Sequence, residues 1–585
     1  MTSINDKSEL GSPPISGSVQ LIGLPRGYGA LPDGIYRRVE GQDGPDWVWL
    51  CSPIRVIALP RDASGKGWGR LVEIVDPDSR RHRWAIPAEM FAGDGAELRR
   101  ECLRLGLRLS TAKGARPAFS DLLQRWEPPA RALTATRLGW ADESCEAFVL
   151  GDGSVIGAED VVYQSEHAPG AAAEMRAAGS LEEWRETVAA PCRGNPLLIL
   201  ALSLAFAEPL LEPLTREGGG VHLRGASSQG KSTAQRVAVS VWGSPGFLHT
   251  WRATANGLEG VASAANATLL ALDEMGEVAG REVSEAAYML ANGKGKARAD
   301  RSGAARPSAR WRTMILSSGE IRLADKMAEA GKRNHAGQEV RLLDIGADGQ
   351  AHGAFDDLHG AAGGAAFADS LNRAAATNFG TAGPAFVRAL LDDFDAALAR
   401  AREHIAAFEA EAARHVTLSE GQTLRARERF ALIAAAGALA SEFGITGWEP
   451  GAAQQAAVTG LRLWLDGRGG SGPTEARQAI ERTRAFLVKH GEARFERISD
   501  DPDQRHRGPS NRAGWRDGAH FYIAEDAWTE LHRGADAKRA AGHLRDAGLL
   551  VPEGPRRLKR KVPRAAGVNI RAYCVKVEIM GADDD

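Results

Sequence analysis

Cysteine is sparse in this chain. The five residues Cys51, Cys102, Cys145, Cys192 and Cys574 lie far apart and form no Cys-x-x-Cys pair. That spacing argues against a zinc site or a disulfide scaffold and fits a reducing cytoplasm. An excess of one charge is also lacking: 73 Lys and Arg against 75 Asp and Glu leave a formal net charge of −2. The chain as a whole is no polycation, so any nucleic-acid contact has to come from local patches. No apolar run is long enough to span a bilayer. The longest, Pro196 to Ala207, ends at Glu208-Pro209 and reads as a buried helix. The N-terminus shows no basic-then-apolar leader pattern, so a cytoplasmic location without a membrane partner is expected. No long repeat is visible. What remains is an ordinary globular balance, 43% hydrophobic and 25% charged, over 585 residues, enough for several domains.

Residues 1–18 are Ser, Gly, Pro and charge, the composition of a tail. Residues 19–165 alternate short apolar runs with Gly, Pro and Asp turns. Trp47 to Leu50, Arg55 to Leu59 and Arg70 to Val75 carry the β-branched and aromatic content of strands. Leu98, Cys102, Leu105 and Leu109 recur at helical spacing and predict one helix over 96–109. A β-rich N-terminal domain is expected, with no catalytic motif in it. Residues 166–350 read as an α/β core. Residues 351–470 are rich in Ala, Leu, Glu and Arg with helical periodicity, and Gly467 to Pro473 reads as a linker. Residues 471–585 form a further small unit.

The core carries the chemistry. Gly225, Ala226, Ser227, Ser228, Gln229, Gly230, Lys231 and Ser232 fit G-x-x-x-x-G-K-[ST], with a short apolar strand before and a helix after. In such a loop the glycines let the backbone curl round an anion, and amide N–H groups point inward at a helix N-terminus. Lys231 is then expected to reach the β- and γ-phosphates of ATP, Ser232 to ligate Mg²⁺ and Thr233 to assist near the α-phosphate. About forty residues on, the apolar run Leu269 to Leu272 ends in Asp273 and Glu274. Asp273 is expected to hold Mg²⁺ and Glu274 to orient or deprotonate the attacking water. The run Trp311 to Leu316 ends in Ser317-Ser-Gly-Glu320, which makes Ser317 or Ser318 a candidate γ-phosphate sensor. Arg341, with Arg333 as a second choice, is a candidate to stabilise transition-state charge at a neighbouring subunit's nucleotide.

Between the carboxylate pair and the Ser-Ser strand lies a basic, glycine-rich stretch from Asn292 to Gly303. It reads as a hairpin with Lys294, Lys296, Arg298 and Arg301 facing DNA phosphates, contacts that give affinity without sequence choice. Near the C-terminus, Lys538 to Val551 reads as a helix ended by Gly548. Arg556 to Lys561 with Ile570 to Ile579 reads as a two-stranded wing. Helix, turn, helix and wing suggest a winged-helix-like module whose basic patch includes Lys559, Arg560 and Lys561.

The order phosphate loop, Leu-Asp-Glu, helix, basic hairpin, polar-tipped strand and arginine resembles the AAA+ helicases of the minichromosome-maintenance and superfamily 3 type. More closely, the chain resembles an uncharacterised-domain family of ATPases from phages, plasmids and chromosomal cassettes, among them the cassette-chromosome helicases. The segments carrying the likeness are the phosphate loop, Trp251 to Glu259, Leu-Asp-Glu-Met-Gly, Asn-Gly-Lys-Gly-Lys and Gly-Gln-Glu-Val-Arg. Leu24 to Tyr28 and Leu138-Gly-Trp140 add to it. The resemblance implies an AAA+-like P-loop core and a homo-hexameric, ATP- and Mg²⁺-dependent DNA helicase or translocase. Any primase it needs is a separate chain. Minichromosome-maintenance proteins carry Asn where Ser317-Ser318 stands, a departure at the sensor. A reading of a different class is an ATP-switched scaffold that remodels or loads a protein partner; a small-molecule P-loop kinase fits the length and the basic hairpin poorly.

Overall fold

The computed structural model describes residues 19–41, 44–164, 170–296, 298–299, 305–306, 308–329, 341–415, 421–468, 474–498, 509–533, 536–554 and 557–581. Among them, no helix is long and apolar enough to cross a membrane.

The N-terminal part begins with an antiparallel meander, β1 (Tyr28–Leu31), β2 (Gly34–Gly41) and β3 (Gly44–Cys51). There follow β4 (Ile54–Arg61), β5 (Gly69–Val75), β6 (Arg81–Pro87), helices α1 (Ala96–Arg104) and α2 (Ala115–Arg125), and β7 (Arg131–Ala135). Short strands β8 (Gly139–Trp140), β9 (Ala147–Val149), β10 (Val155–Gly157) and β11 (Val161–Tyr163) complete it. One sheet runs β11-β7-β4-β5-β6. Its inner face, with Ile54, Val56, Val72, Ile74 and Ile86, packs on Leu98, Phe119, Leu122 and Trp126. The helix predicted over 96–109 is shorter than expected. It stops at Arg104 because Gly106 takes φ +90°, and Leu109 turns away to bridge Cys51.

The middle of the chain comprises α3 (Leu181–Trp184), α4 (Pro196–Ala207), β12 (Gly219–Arg224), α5 (Lys231–Val239), β13 (Leu248–Thr250), α6 (Ala255–Ala264), β14 (Leu269–Asp273) and α7 (Gly280–Asn292). Next come β15 (Arg298–Ala299), β16 (Ala305–Arg306), β17 (Met314–Gly319), α8 (Leu323–Glu329) and β18 (Leu342–Gly346). Strands β13-β14-β17-β12-β18 lie side by side in that order, all parallel. Both faces are covered, which is why β14 and β17 read as apolar runs without alternation. Helices α9 (Gly364–Thr377), α10 (Ala382–Asp392), α11 (Phe394–His415), α12 (Gly421–Glu442) and α13 (Ala452–Arg468) follow.

Helix α4 has no polar face. Leu197 to Ala207 are all buried, Ser203 included, as α4 lies against α5, α12 and α13. Glycines allow the close approach: a Cβ on Gly437 would sit 2.1 Å from Ser203 Oγ. One hydrophobic core therefore runs from Ala135 through α4 and the parallel sheet to Leu465, across the boundaries expected at 165 and 350. Leu138-Gly-Trp140 is one of its fasteners. The Trp140 indole N–H donates to Pro209 O at 2.9 Å, and Asn266 Nδ2 donates to Leu138 O at 2.5 Å.

The C-terminal part has its own core. It comprises α14 (Thr474–His490), β19 (Phe495–Arg497), β20 (Gly514–Arg516), β21 (His520–Ile523), α15 (Glu525–Leu531), α16 (Ala537–Asp546), β22 (Arg560–Lys561) and β23 (Arg571–Lys576). Its sheet runs β19-β20-β21-β23-β22. His532 is buried there, 3.3 Å from Thr483 Oγ1 with its ring 4.5 Å from that of Trp528. Burial, helped by the charge of Arg482, pulls its pKa down to about 4. An unfolded histidine titrates near 6.5. Between those values the unfolded chain binds the extra proton, so stability falls as pH drops from about 6.5 towards 4. Thermal melts of the protein over that range are expected to show this loss, and His532→Leu is expected to flatten it.

Candidate functional site

The C-terminal ends of the parallel strands form one rim, the usual crevice of an open α/β sheet. Strand β12 leaves that rim at Arg224 and turns through Gly225 to Gly230 into α5. Ser228 and Gly230 take φ +61° and +89°. Gly230 is the helix N-cap, and a Cβ there would meet the Phe355 ring at 2.5 Å. Only glycine fits both the backbone angle and the ring. The loop is braced from outside: Ala354 N donates to Gln229 O at 2.8 Å, and Gly225 N to Gly319 O at 3.2 Å. Lys231 is buried, its ammonium 2.8 Å from Gly225 O and 2.6 Å from Ala226 O. Its charge thus sits inside the arc of the loop, at the positive end of α5.

Strand β14 reaches the same rim two strands away. Ser232 Oγ lies 3.4 Å from Asp273 Oδ1, and Ser318 Oγ donates to that same oxygen. Glu274 N donates to Asp273 Oδ1 at 3.0 Å. Glu274 itself takes φ +57°, ψ 62°, a conformation uncommon for any residue but glycine. Burial raises its carboxyl pKa, as do the charges of Asp273, Glu320 and Glu277, with Lys231 opposing. A carboxylate made more basic in this way suits proton abstraction from water. Among the described residues no three His, Cys, Asp or Glu side chains form a metal cage. Mg²⁺ with a nucleotide asks for less: one or two protein oxygens, the rest coming from water and phosphate. Ser232 and Asp273 are suitable donors.

The two serines of β17 face opposite ways. Ser318 turns to Asp273. Ser317 is fully buried, accepting the Trp251 indole N–H at 2.8 Å and lying 2.9 Å from His222 Nδ1. Indole nitrogen only donates, so the Ser317 hydroxyl proton goes to His222 Nδ1, and Nε2–H of His222 donates to Ile321 O at 3.1 Å. Burial keeps this imidazole neutral by lowering its pKa. Of the two candidate sensors, only Ser318 is at the rim. His222, Trp251 and Gln235 were absent from the sequence-based set. Gln235 Nε2 donates to Leu272 O and to Leu316 O, both at 3.0 Å, tying α5 to both strands. A polar residue one turn after Lys231 on a helix whose neighbours are apolar was the available signal.

Arg341 lies elsewhere. β18 pairs with β12 so that Leu342 faces Gly220, which sets Arg341 beside Gly219 at the far end of the sheet. At about 3.3 Å per residue, roughly 20 Å separates it from the loop that starts at Gly225 of its own chain. It stacks 5.7 Å from the Tyr288 ring and donates to Asn292 Oδ1. Tyr288 is exposed, so this arginine stands on an outer face. Arg333 and Arg301 lie outside the described residues, as does the side chain of Arg298. The backbone of the basic stretch is a hairpin: Lys294 bridges Arg310, and β15 pairs antiparallel with β16. Lys294 and Lys296 are exposed at its base. At the C-terminal part, Lys559 is engaged by Glu525 at 2.5 Å and by the Tyr573 ring at 5.5 Å, whereas Arg560 and Lys561 are exposed.

Residues 29–310 match a family described as "Domain of unknown function (DUF927)". The whole fold is similar to a solved structure titled "SCCmec type IV Cch - active helicase", with a TM-score of 0.69 over 95% of this chain and 99% of that one. The two are 17% identical, so the likeness is one of fold. No curated protein matches the chain. The chain thus matches an uncharacterised-domain family over residues 29–310 and is similar in fold to a cassette helicase, which fits the resemblance read from the sequence.

The two serines should separate on substitution. Ser317→Ala is expected to leave Trp251 and His222 short of a partner and to cost about 1–3 kcal/mol of stability in denaturant melts. Ser318→Ala is expected to cost a similar amount, because Asp273 loses a buried partner, and in addition to lower Mg-ATP turnover on the order of a hundredfold, a loss that Ser317→Ala is not expected to match.

Proposed function

We propose that this chain, whose residues 29–310 carry the DUF927 domain, is an ATP-driven DNA helicase or translocase of a mobile element or phage. One observation carries the reading. Lys231, Ser232, Asp273, Glu274 and Ser318 converge on one sheet rim, and a basic hairpin leaves the same core. The strand order supports an AAA+-like P-loop core, because one strand lies between the phosphate-loop strand and the carboxylate strand. Helices α15 and α16 with β22 and β23 support a winged-helix-like end.

In this reading the amides of residues 225–233 hold the triphosphate, and Lys231 moves from its loop carbonyls to the β- and γ-phosphates. Mg²⁺, held by Ser232 and Asp273, would neutralise charge on the phosphate oxygens. Glu274 orients the attacking water and takes its proton. Ser318, hydrogen-bonded to Asp273, senses the γ-phosphate. Arg341 is too far from its own loop to serve it, so its place is at the nucleotide of a neighbouring subunit in a ring, for which a hexamer is the expected form. Hydrolysis then moves Lys294, Lys296, Arg298 and Arg301 along a DNA strand, with Lys559, Arg560 and Lys561 as a second basic patch.

Lys231→Ala is expected to abolish nucleotide binding in calorimetry with Mg-ATP. Glu274→Gln is expected to bind ATP and stall, with turnover lowered at least about a hundredfold. Lys294→Ala with Lys296→Ala is expected to spare basal ATPase and lose its stimulation by DNA. Forked-DNA strand displacement decides between classes: ATP binding without displacement by folded wild-type protein would leave the partner-remodelling scaffold as the better reading. For Arg341, mixing Arg341→Ala with Lys231→Ala chains is expected to restore partial ATPase activity, since each lacks what the other supplies across an interface. No recovery in mixed oligomers would remove Arg341 from the nucleotide site.

A further inference from the structure

The N-terminal sheet carries an arginine cluster that the nucleotide site does not use. Glu73 sits in the middle of β5, its side chain 3% exposed. Arg55 on β4 and Arg83 on β6 are its register partners on either side, and Arg81 is two residues along β6 on the same face. Arg55 Nη2 and Arg81 Nη1 each lie 2.7 Å from Glu73 Oε1, and Arg83 Nε lies 3.5 Å from Oε2. The face beyond them is a small apolar platform of Ala58, Leu71, Ala85 and Ala132.

One buried carboxylate needs one guanidinium to be neutralised. Here it has three, which leaves a surplus of two positive charges on adjacent positions of a sheet. Like charges so placed repel, and side chains this exposed (45%, 65% and 58% for Arg55, Arg81 and Arg83) are free to separate in water. Glu73 instead gathers them into a fixed row. Each guanidinium keeps N–H donors that Glu73 does not occupy, since five donors per arginine meet only two carboxylate oxygens. A pre-ordered row of guanidinium groups with outward donors is the geometry that binds phosphate oxygens. Arg81 and Arg83 are about 7 Å apart along the strand, a spacing that matches successive phosphates of an extended nucleic-acid strand. Asp152 and Glu159 line the groove beside Arg83 and bound the basic strip on that side.

We infer that the face formed by Arg55, Arg81 and Arg83 is a second DNA-backbone site, built on the N-terminal domain and independent of the core hairpin. The choice of DNA as the anion rests on the helicase reading; the anion-binding geometry does not. The test is fluorescence titration of the full-length protein, without ATP, against labelled oligothymidylate and against a duplex, from roughly 50 to 200 mM salt. Arg81→Gln with Arg83→Gln leaves the Arg55–Glu73 pair intact. It is expected to raise the Kd about tenfold and to reduce the slope of log K against log salt by about 1.4 on single strands. Arg81→Lys with Arg83→Lys is expected to recover most of that slope. Labelling of wild-type arginines with a dicarbonyl reagent, mapped by mass spectrometry, is expected to show Arg81 and Arg83 shielded by the oligonucleotide, which decides the matter if the glutamine variant fails to fold. Unchanged affinity, slope and labelling would overturn the inference. If binding is lost in Lys294→Ala with Lys296→Ala and kept in the glutamine variant, this face is eliminated and the helicase reading stands. If the face binds DNA but wild-type protein displaces no strand with ATP, the helicase reading falls and this one stands.

Discussion

The geometry of the rim that carries Ser232, Asp273 and Ser318 depends on one buried hydrogen-bonded row: Trp251 to Ser317, Ser317 to His222, His222 to Ile321 O. It fixes the rotation of β17 about its own axis. A strand has a period of two, so turning Ser317 towards His222 and Trp251 turns Ser318 to the opposite face, towards Asp273. The row also spans the sheet, since Trp251 follows β13 and His222 belongs to β12. Trp251 N in addition donates to Asp273 O at 3.0 Å, so the same residue that orders β17 also holds the end of β14. Ser232, Asp273, Glu274 and Ser318 come from two separate strands and a helix. Polar groups buried in an apolar sheet carry a high penalty if left unmet, and that penalty makes the register unique.

The rim at Asp273 and the hairpin are joined by rigid elements. Helix α7 starts seven residues after Asp273 and ends at Asn292, and the hairpin begins after Gly293. Its thirteen residues span about 20 Å. At the hairpin base, Trp311 donates its indole N–H to Leu290 O at 3.1 Å and its backbone N–H to Gly293 O at 3.0 Å. Buried Glu259 on α6 packs so closely that a Cβ on Gly295 would lie 2.3 Å from its Oε1. The Trp251-to-Glu259 segment therefore begins beside Asp273 and ends beside the hairpin. In the proposed mechanism that continuity gives a displaced carboxylate strand a stiff lever to the DNA-facing loop. Arg341, hydrogen-bonded to Asn292 at the end of α7, adds an outer face to the same lever.

Features set by a few adjacent residues were legible in the sequence. The turn from β12 through Gly225 to Gly230 into α5 was, because its glycines and Lys231 act within eight residues. The Asp273-Glu274 pair was, because an apolar run ending in two carboxylates survives any packing. The hairpin was, because glycine and charge interrupt an otherwise apolar alternation. Features set by pairing between distant strands were not. Nothing in Ser317-Ser318 says which serine faces the rim until His222 and Trp251 are placed. The end of α1 turned on Gly106 taking φ +90°, which apolar spacing alone does not reveal. The helical region looked separate because its periodicity is local. Its union with the α/β core comes from α4, whose uniformly apolar surface had to be covered by something, and α12 and α13 are what cover it.

Two buried glutamates show how differently this chain treats an interior carboxylate. Glu208, at the end of α4, accepts the Met314 N–H, and among the described residues no cation pairs with it; burial pushes its pKa well above the ordinary range, and the hydrogen bond anchors the start of β17. Glu73 is covered by its own arginines instead; burial raises its pKa, but hydrogen bonds and charge from Arg81 and Arg55 outweigh that and hold it below the ordinary value. Packing alone would be served by the first solution, which needs no arginine at all. An ionised Glu73 under three arginines orders guanidinium groups at the surface, which a protonated glutamate cannot do. The sheet that bears them needs no such device to cohere, because its inner face already packs on α1 and α2. What the cluster adds is a fixed pattern of positive charge facing outward, on a protein whose net charge is close to zero.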